Sequence, residues 1–183
     1  MAARTLSEPG VAADADTFLL WVLAWSELAA FGILLSAFLV TGFIQQLEFA
    51  AGQAQLHPFL AGLNTLVLLT SGWQAALAGL ADASRPEQRR SLVMAALFGF
   101  LFVFIKLVEY GDELRKVEGT AYGHFFELYF IITGFHLLHV VFGAGLLLLV
   151  AWRPSRANIG LVTTLWHVID LIWVSMFPIV YLS

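Results

Sequence analysis

Five apolar stretches, each about 20 residues long or longer, run through the chain near residues 18–44, 59–81, 91–110, 125–152 and 159–182. An α-helix needs about 20 such residues to cross the roughly 30 Å hydrocarbon layer of a bilayer. A transmembrane strand would alternate apolar and polar residues over about 10 positions, and these stretches do not alternate. The expected fold is an all-α membrane protein: a bundle of five transmembrane helices over residues 18–183, behind a polar amino-terminal tail at residues 1–17. Of the 183 residues, 60% are hydrophobic and 12% charged, about half the charged share of a soluble domain, so no soluble domain is expected.

The connectors are short and polar. Residues 45–58 end in His57-Pro58, residues 82–90 read DASRPEQRR with Pro86 expected to break the helix, residues 111–124 form a mixed-charge turn, and residues 153–158 join the last two spans. The tail holds Glu8, Asp14 and Asp16 against Arg4 and lacks the basic segment and apolar core of a cleaved signal peptide. Arg4, Arg85, Arg89, Arg90, Arg153 and Arg156 fall on one side, against Arg115, Lys116 and, at a helix end, Lys106 on the other. The excess of Lys and Arg predicts a cytoplasmic amino terminus and a periplasmic carboxyl terminus. A net charge of −4 offers no field for nucleic acid, and the lack of cysteine excludes disulfides, thiolate metal sites, iron–sulfur clusters and thiol catalysis.

Ionisable groups at membrane depth are costly, so each needs a partner or a task. Glu27 lies in the first span with Phe31 and Leu34 on its face; it is either a packing acid held by hydrogen bonds or a proton-handling, reactive carboxyl. In the fourth span Thr133, His136, His139 and Gly143 share a broad face at helical spacing, with glycines that permit close packing. In the fifth, Trp166, His167 and Asp170 follow one another, His167 and Asp170 being one turn apart. Three histidines invite a haem or metal reading, but spacing completes no ligand set, and His57 and His124 lie in connectors. Hydrogen bonding between helices is the simpler expectation. Asn64-Thr65 and Thr70-Ser71-Gly72 give the second span a polar, small-residue seam, and Lys106 with Glu109 reads as an interfacial ion pair beside the aromatic anchor Tyr110.

These residues fall into patterns. The run YGHFFELYFIITGFHLLHVVFGAGLLL, with Thr133, Gly134, Phe135, His136 and His139, resembles the penultimate helix of subunit III of haem–copper oxidases. Trp166, His167, Asp170 and Trp173 in WHVIDLIWVSMFPIVYL are similar to the family's final helix. Ser26-Glu27 resembles the Ser-Glu of the helix that carries its carbodiimide-reactive glutamate. LNTLVLLTSG and Glu109-Tyr110 resemble the two helices between. Two departures stand out: the His-His after the second matched helix is absent, and the short turn at residues 153–158 replaces a His-His-Phe-Gly-Phe-Glu segment. That plan resembles the five-span form, most closely the subunit III-like protein associated with nitric oxide reductase, with subunit III of quinol or cytochrome c oxidases as the rival.

The resemblance implies a non-catalytic, cofactor-free subunit in a bacterial inner membrane, serving aerobic respiration or denitrification. It implies a haem-containing catalytic partner that carries the haem and the copper or iron, and a structural phospholipid between the helices. It also implies roles in assembly, proton uptake and turnover stability. Glu27 would be the buried carboxyl. Ser26, Asn64, Thr133, His136, His139, Trp166, His167 and Asp170 would form an interhelical polar core ordering the last two helices. An autonomous haem or metal enzyme, or a small proton transporter built on Glu27 and Asp170, are the remaining readings.

Overall fold

Prolines and serines mark where the helices begin. The computed structural model describes residues 9–117 and 123–182, with side chains for residues 18, 20–115 and 123–182. Six helices follow in order: α1 Pro9–Ile44, α2 Gln46–Gln53, α3 Pro58–Ala78, α4 Arg85–Val117, α5 Gly123–Trp152 and α6 Arg156–Tyr181. Pro58 opens α3 in the first turn, where a missing N–H costs no intrahelical bond. Pro86 does the same for α4, so it starts that helix rather than breaking one. Ser84 reinforces the start by donating its backbone N–H and its hydroxyl to Glu87 Oε2, each at 2.7 Å. The Ser155 hydroxyl accepts from the Asn158 N–H at 3.2 Å and caps α6.

The helices run past the apolar stretches. α1 begins at Pro9, inside the segment read as a tail, and α4 passes Tyr110 to reach Val117. The connector at residues 45–58 contains α2, which no apolar period had signalled. Residues 1–8, 118–122 and 183 lie outside the described residues, and with them Arg4, Glu8 and the centre of the third connector.

Long helices and short connections give an up-and-down bundle. At one end the Glu48 carboxylate of α2 accepts from the His124 backbone N–H of α5 at 2.9 Å, and Gln53 Nε2 donates to the Val180 carbonyl of α6. At the other end Arg156 donates to the Ala81 carbonyl at 2.5 Å, tying the start of α6 to the connector that follows α3. Among the described residues α1, α4, α5 and α6 are long and apolar enough to cross a membrane. This is an all-α membrane protein. The 21-residue α3 has similar reach, but Asn64, Thr65, Thr70, Ser71 and Gln74 dilute its apolar character.

Small residues set how closely the helices approach. Ala61, Ala75 and Ala78 of α3 and Ala95 and Ala96 of α4 are fully buried or nearly so. Trp166 of α6 is fully buried against two glycines: a methyl group built on Gly99 would lie 2.7 Å from its ring, and one on Gly143 would lie 2.9 Å from it. Gly143→Val should therefore push α5 from α6 and destabilise the bundle by about 1–3 kcal/mol. Thermal unfolding in detergent checks this; an unchanged midpoint would show that Trp166 can turn aside.

Candidate functional site

Spacing on α4 places Lys106, Glu109, Tyr110 and Glu113 on one stripe, one turn after another. The stripe faces inward: Lys106 and Glu113 are 0% exposed and Glu109 is 1%. Lys106 Nζ lies 3.1 Å from Glu109 Oε2 and donates to the Tyr129 hydroxyl at 2.6 Å and to the Tyr181 hydroxyl. Tyr129 donates to Glu113 Oε1 at 2.8 Å, and Tyr181 to Glu109 Oε1 at 2.8 Å. The ammonium also stands 4.8 Å from the centre of the Tyr129 ring. α4, α5 and α6 thus share one charged, hydrogen-bonded knot in which an ammonium has exchanged water for the Glu109 carboxylate and two aromatic hydroxyls, with Glu113 joined through Tyr129.

The pair read as interfacial is therefore enclosed by three helices and lies two turns or more before the end of α4. The physical reason is that Tyr129 and Tyr181, brought by other helices, solvate the charge where it sits. Glu113 lay in the segment read as a turn, although its spacing from Lys106 and Glu109 is the signal that could have found it. Nothing local pointed to Tyr129 or Tyr181. Tyr110, on the same stripe, shares a 2.6 Å hydrogen bond with the Thr133 hydroxyl, which also donates to the Tyr129 carbonyl.

Glu27 has a partner that its own helix did not reveal. His139 Nε2 of α5 lies 2.9 Å from Glu27 Oε2, an ion-pair distance without hydrogen-bond alignment. The two side chains are 19% and 21% exposed. His139 Nδ1 lies 2.7 Å from the Phe135 carbonyl, which can only accept, so Nδ1 carries a proton. Phe31, buried on α1, stands over this pair, 5.5 Å from the His139 ring and 6.0 Å from the His136 ring. A cleft of about 130 Å³ between α1, α5 and α6 has Glu27 and His139 on its wall.

The other residues of the expected polar core go separate ways. His136 is fully buried, stacked 5.1 Å from Trp173 and edge-on to Phe102, with no protein group bonded to either ring nitrogen. His167 is 46% exposed and 3.6 Å from Asp170, whose carboxylate lies against Gly72 of α3. Thus His139 ties α5 to α1, while Asp170 faces α3, and the two do not order the last helices as one core. Ser26 is exposed and bonds the Leu23 carbonyl of its own helix. Asn64 and Ser71 do form a seam: they donate to the Phe102 and Ala95 carbonyls of α4 at 3.2 and 2.6 Å. Thr65 accepts from Trp173 Nε1 at 2.9 Å, and the buried Trp166 Nε1 has no partner. The three membrane histidines have three different surroundings, and no group of three or more His, Asp and Glu gathers as a metal site among the described residues.

A family model described as cytochrome c oxidase subunit III fits residues 17–183. The chain belongs to the cytochrome c oxidase subunit III family. It is 30% identical over 141 residues to cytochrome c oxidase subunit 3 of Tetraodon nigroviridis, covering 71% of this chain and 53% of that one. Against the protein of the same name from Latimeria chalumnae the identity is 32% over 141 residues, with the same coverage. The cytochrome c oxidase subunit 3 of a Synechocystis strain is 26% identical over 168 residues, 86% of this chain and 71% of that one. The chain spans about half the length of the first of these relatives. As in the expected subunit III pattern, Thr133, His136 and His139 mark α5, and Trp166, Asp170 and Trp173 mark α6.

Proposed function

We propose that this chain is the subunit III component of a membrane haem–copper oxidase complex, crossing a bacterial inner membrane five times and carrying no redox centre itself. The observation that carries this reading is the family match over residues 17–183, together with a bundle whose buried Lys106 and Glu109 engage groups on neighbouring helices. In this reading α3 is the fifth span, and the basic connectors around Arg85–Arg90 and Arg153–Arg156 face the cytoplasm. The haem and the copper or iron belong to the catalytic partner. This chain supports assembly, lipid retention, proton uptake and stability during turnover. Glu27 and His139, on the wall of a cleft between helices, are its proton-related pair.

A finer reading concerns the partner. Only residues 153–155 separate α5 from α6, which favours a nitric oxide reductase-type complex over an oxygen-reducing quinol or cytochrome c oxidase. Affinity purification from native membranes in gentle detergent tests both levels. The expected eluate contains a large polytopic subunit with haem absorbance in stoichiometric amount, and it consumes nitric oxide faster than oxygen. A colourless chain with no such partner, from membranes that contain haem–copper enzymes, would overturn the subunit reading. Oxygen uptake without nitric oxide consumption would overturn only the finer one.

A further inference from the structure

The Lys106 knot has one hydrogen bond more than it has hydroxyl protons to fill. Four oxygens run through it in a row: Glu113 Oε1 lies 2.8 Å from the Tyr129 hydroxyl, that hydroxyl 2.9 Å from the Tyr181 hydroxyl, and that one 2.8 Å from Glu109 Oε1. Each of the three contacts has the length of an O–H···O bond, and each such bond takes one proton. Lys106 donates to both hydroxyls from outside the row, using one lone pair of each. With both carboxyls ionised, Tyr129 turns its proton to Glu113 and Tyr181 turns its own to Glu109. The two hydroxyl oxygens then face each other at 2.9 Å with no proton between them. One added proton closes the row: Glu113 donates to Tyr129, Tyr129 to Tyr181, and Tyr181 to Glu109. Both lone pairs of each hydroxyl are then in use.

Charge requires the same proton. Lys106 and Glu113 are fully buried and Glu109 nearly so, which sets one ammonium against two carboxyls. A second buried negative charge without a cation is costly. Among the described residues no neighbouring helix supplies that cation. α3 has no titratable side chain, and α5 and α6 meet the row with Tyr129 and Tyr181. Tyr110 is bonded to Thr133, and His136 stacks on Trp173 with no protein group on either ring nitrogen. Asp112, Arg115 and Glu127 are exposed. The two carboxyls also differ. Glu109 Oε2 has the ammonium at 3.1 Å, whereas Glu113 Oε2 is buried with no partner. A neutral C=O tolerates that position better than a share of carboxylate charge, which assigns the proton to Glu113.

We propose that Glu109 and Glu113 bind one resident proton between them at neutral pH, carried on Glu113 and joined to Glu109 through the two tyrosine hydroxyls. It makes the knot neutral and completes the bonds that join α4, α5 and α6. The site lies at the end of α4 away from the Arg85–Arg90 connector, and it rests on neither the oxidase reading nor the Glu27–His139 pair.

Infrared difference spectra of the purified full chain at neutral pH test it, read in the carbonyl stretch of protonated carboxyls, which shifts in heavy water. The parent minus Glu113→Gln should show one such band, and the parent minus Glu109→Gln the same band. Either change leaves a single carboxyl to balance Lys106, so the shared proton is lost. Tyr181→Phe, which breaks the row and keeps both carboxyls, should retain the band and move it. No band in either difference would overturn the proposal. A band lost in one variant only would give the proton to that residue alone and overturn the sharing. Should the Gln variants fail to fold, the Glu27→Gln chain carrying isotope-labelled glutamate decides. Glu48 and Glu87 accept backbone N–H bonds as carboxylates and Glu127 is exposed, so a label-sensitive protonated band must still be present. Its absence would sink the idea.

Discussion

Lys106→Met should destabilise the bundle more than any other conservative single change to it. The substitution keeps the length of the side chain but removes the ammonium that stands between Glu109, Tyr129 and Tyr181. Removing one partner of a buried pair leaves the other charge uncompensated, at about 3–5 kcal/mol. Here two buried carboxyls are left behind, since Glu113 joins the same knot through Tyr129. The midpoint of thermal unfolding in detergent should fall by on the order of 10 °C. Adding Glu109→Gln should recover more than half of the loss, because the second change removes the stranded charge rather than another contact. Tyr181→Phe removes one hydroxyl from the knot and should cost about 1 kcal/mol. A Lys106→Met chain that melts with the parent would mean that the knot adds no net stability. Losses that simply add in the double variant would mean that Lys106 and Glu109 act independently.

The knot also shows where sequence reasoning stops. Lys106 and Glu109 were legible as a pair because they lie one turn apart on one helix, whereas Glu113, at the same period, fell in a segment read as a turn. Tyr129 and Tyr181 were not legible, because their roles depend on which helices adjoin and at what depth. In a soluble bundle the apolar stripe of each helix would give that orientation. In a membrane the outer face is apolar too, as exposed Trp25, Ile33, Phe104 and Leu138 illustrate, so the pattern loses its direction. The helix cores survived this ambiguity, since length and hydropathy alone define a span. Helix ends did not: Tyr110 resembled a boundary, yet α4 runs on to Val117 through a charged segment. Asn64 and Ser71 bond to α4 carbonyls because polar groups in a span must turn toward protein. The shared face of His136 and His139 was misleading. Residues one turn apart on a helix packed on several sides meet different neighbours, here Trp173 for one and Glu27 for the other.

Phe31→Ala should loosen α1 from the rest of the bundle and expose Glu27. α1 is held by a narrow stripe: among the described residues Ala24, Phe31 and Phe38, two turns apart, are its buried apolar residues, while Trp21, Trp25, Ile33 and Val40 face outward. Phe31 is the wedge of that stripe, 2% exposed and in ring contact with Phe135, His136 and His139. Truncating a buried Phe costs about 3–5 kcal/mol in a soluble core. In lipid the transfer part of that cost fades, because acyl chains are as apolar as the site, and lost packing carries the effect. The destabilisation should therefore sit at the lower end, about 3 kcal/mol, and be confined to α1. A hydrophobic carbodiimide reads this locally, since it reaches carboxyls from the lipid phase. In the parent chain Glu27 is part-shielded by His139 and Phe31, and labelling should be slow. In Phe31→Ala it should become several-fold faster as α1 swings free, with a lower unfolding midpoint. In His139→Leu it should also become faster, but with a smaller fall in the midpoint, because one contact at the edge of the stripe is lost rather than its centre. Glu27→Gln abolishes labelling and identifies the site. Equal labelling in the parent and Phe31→Ala would mean that α1 is held elsewhere along its length, and the Phe38 contact with Phe49 and Phe125 would be the place to cut next.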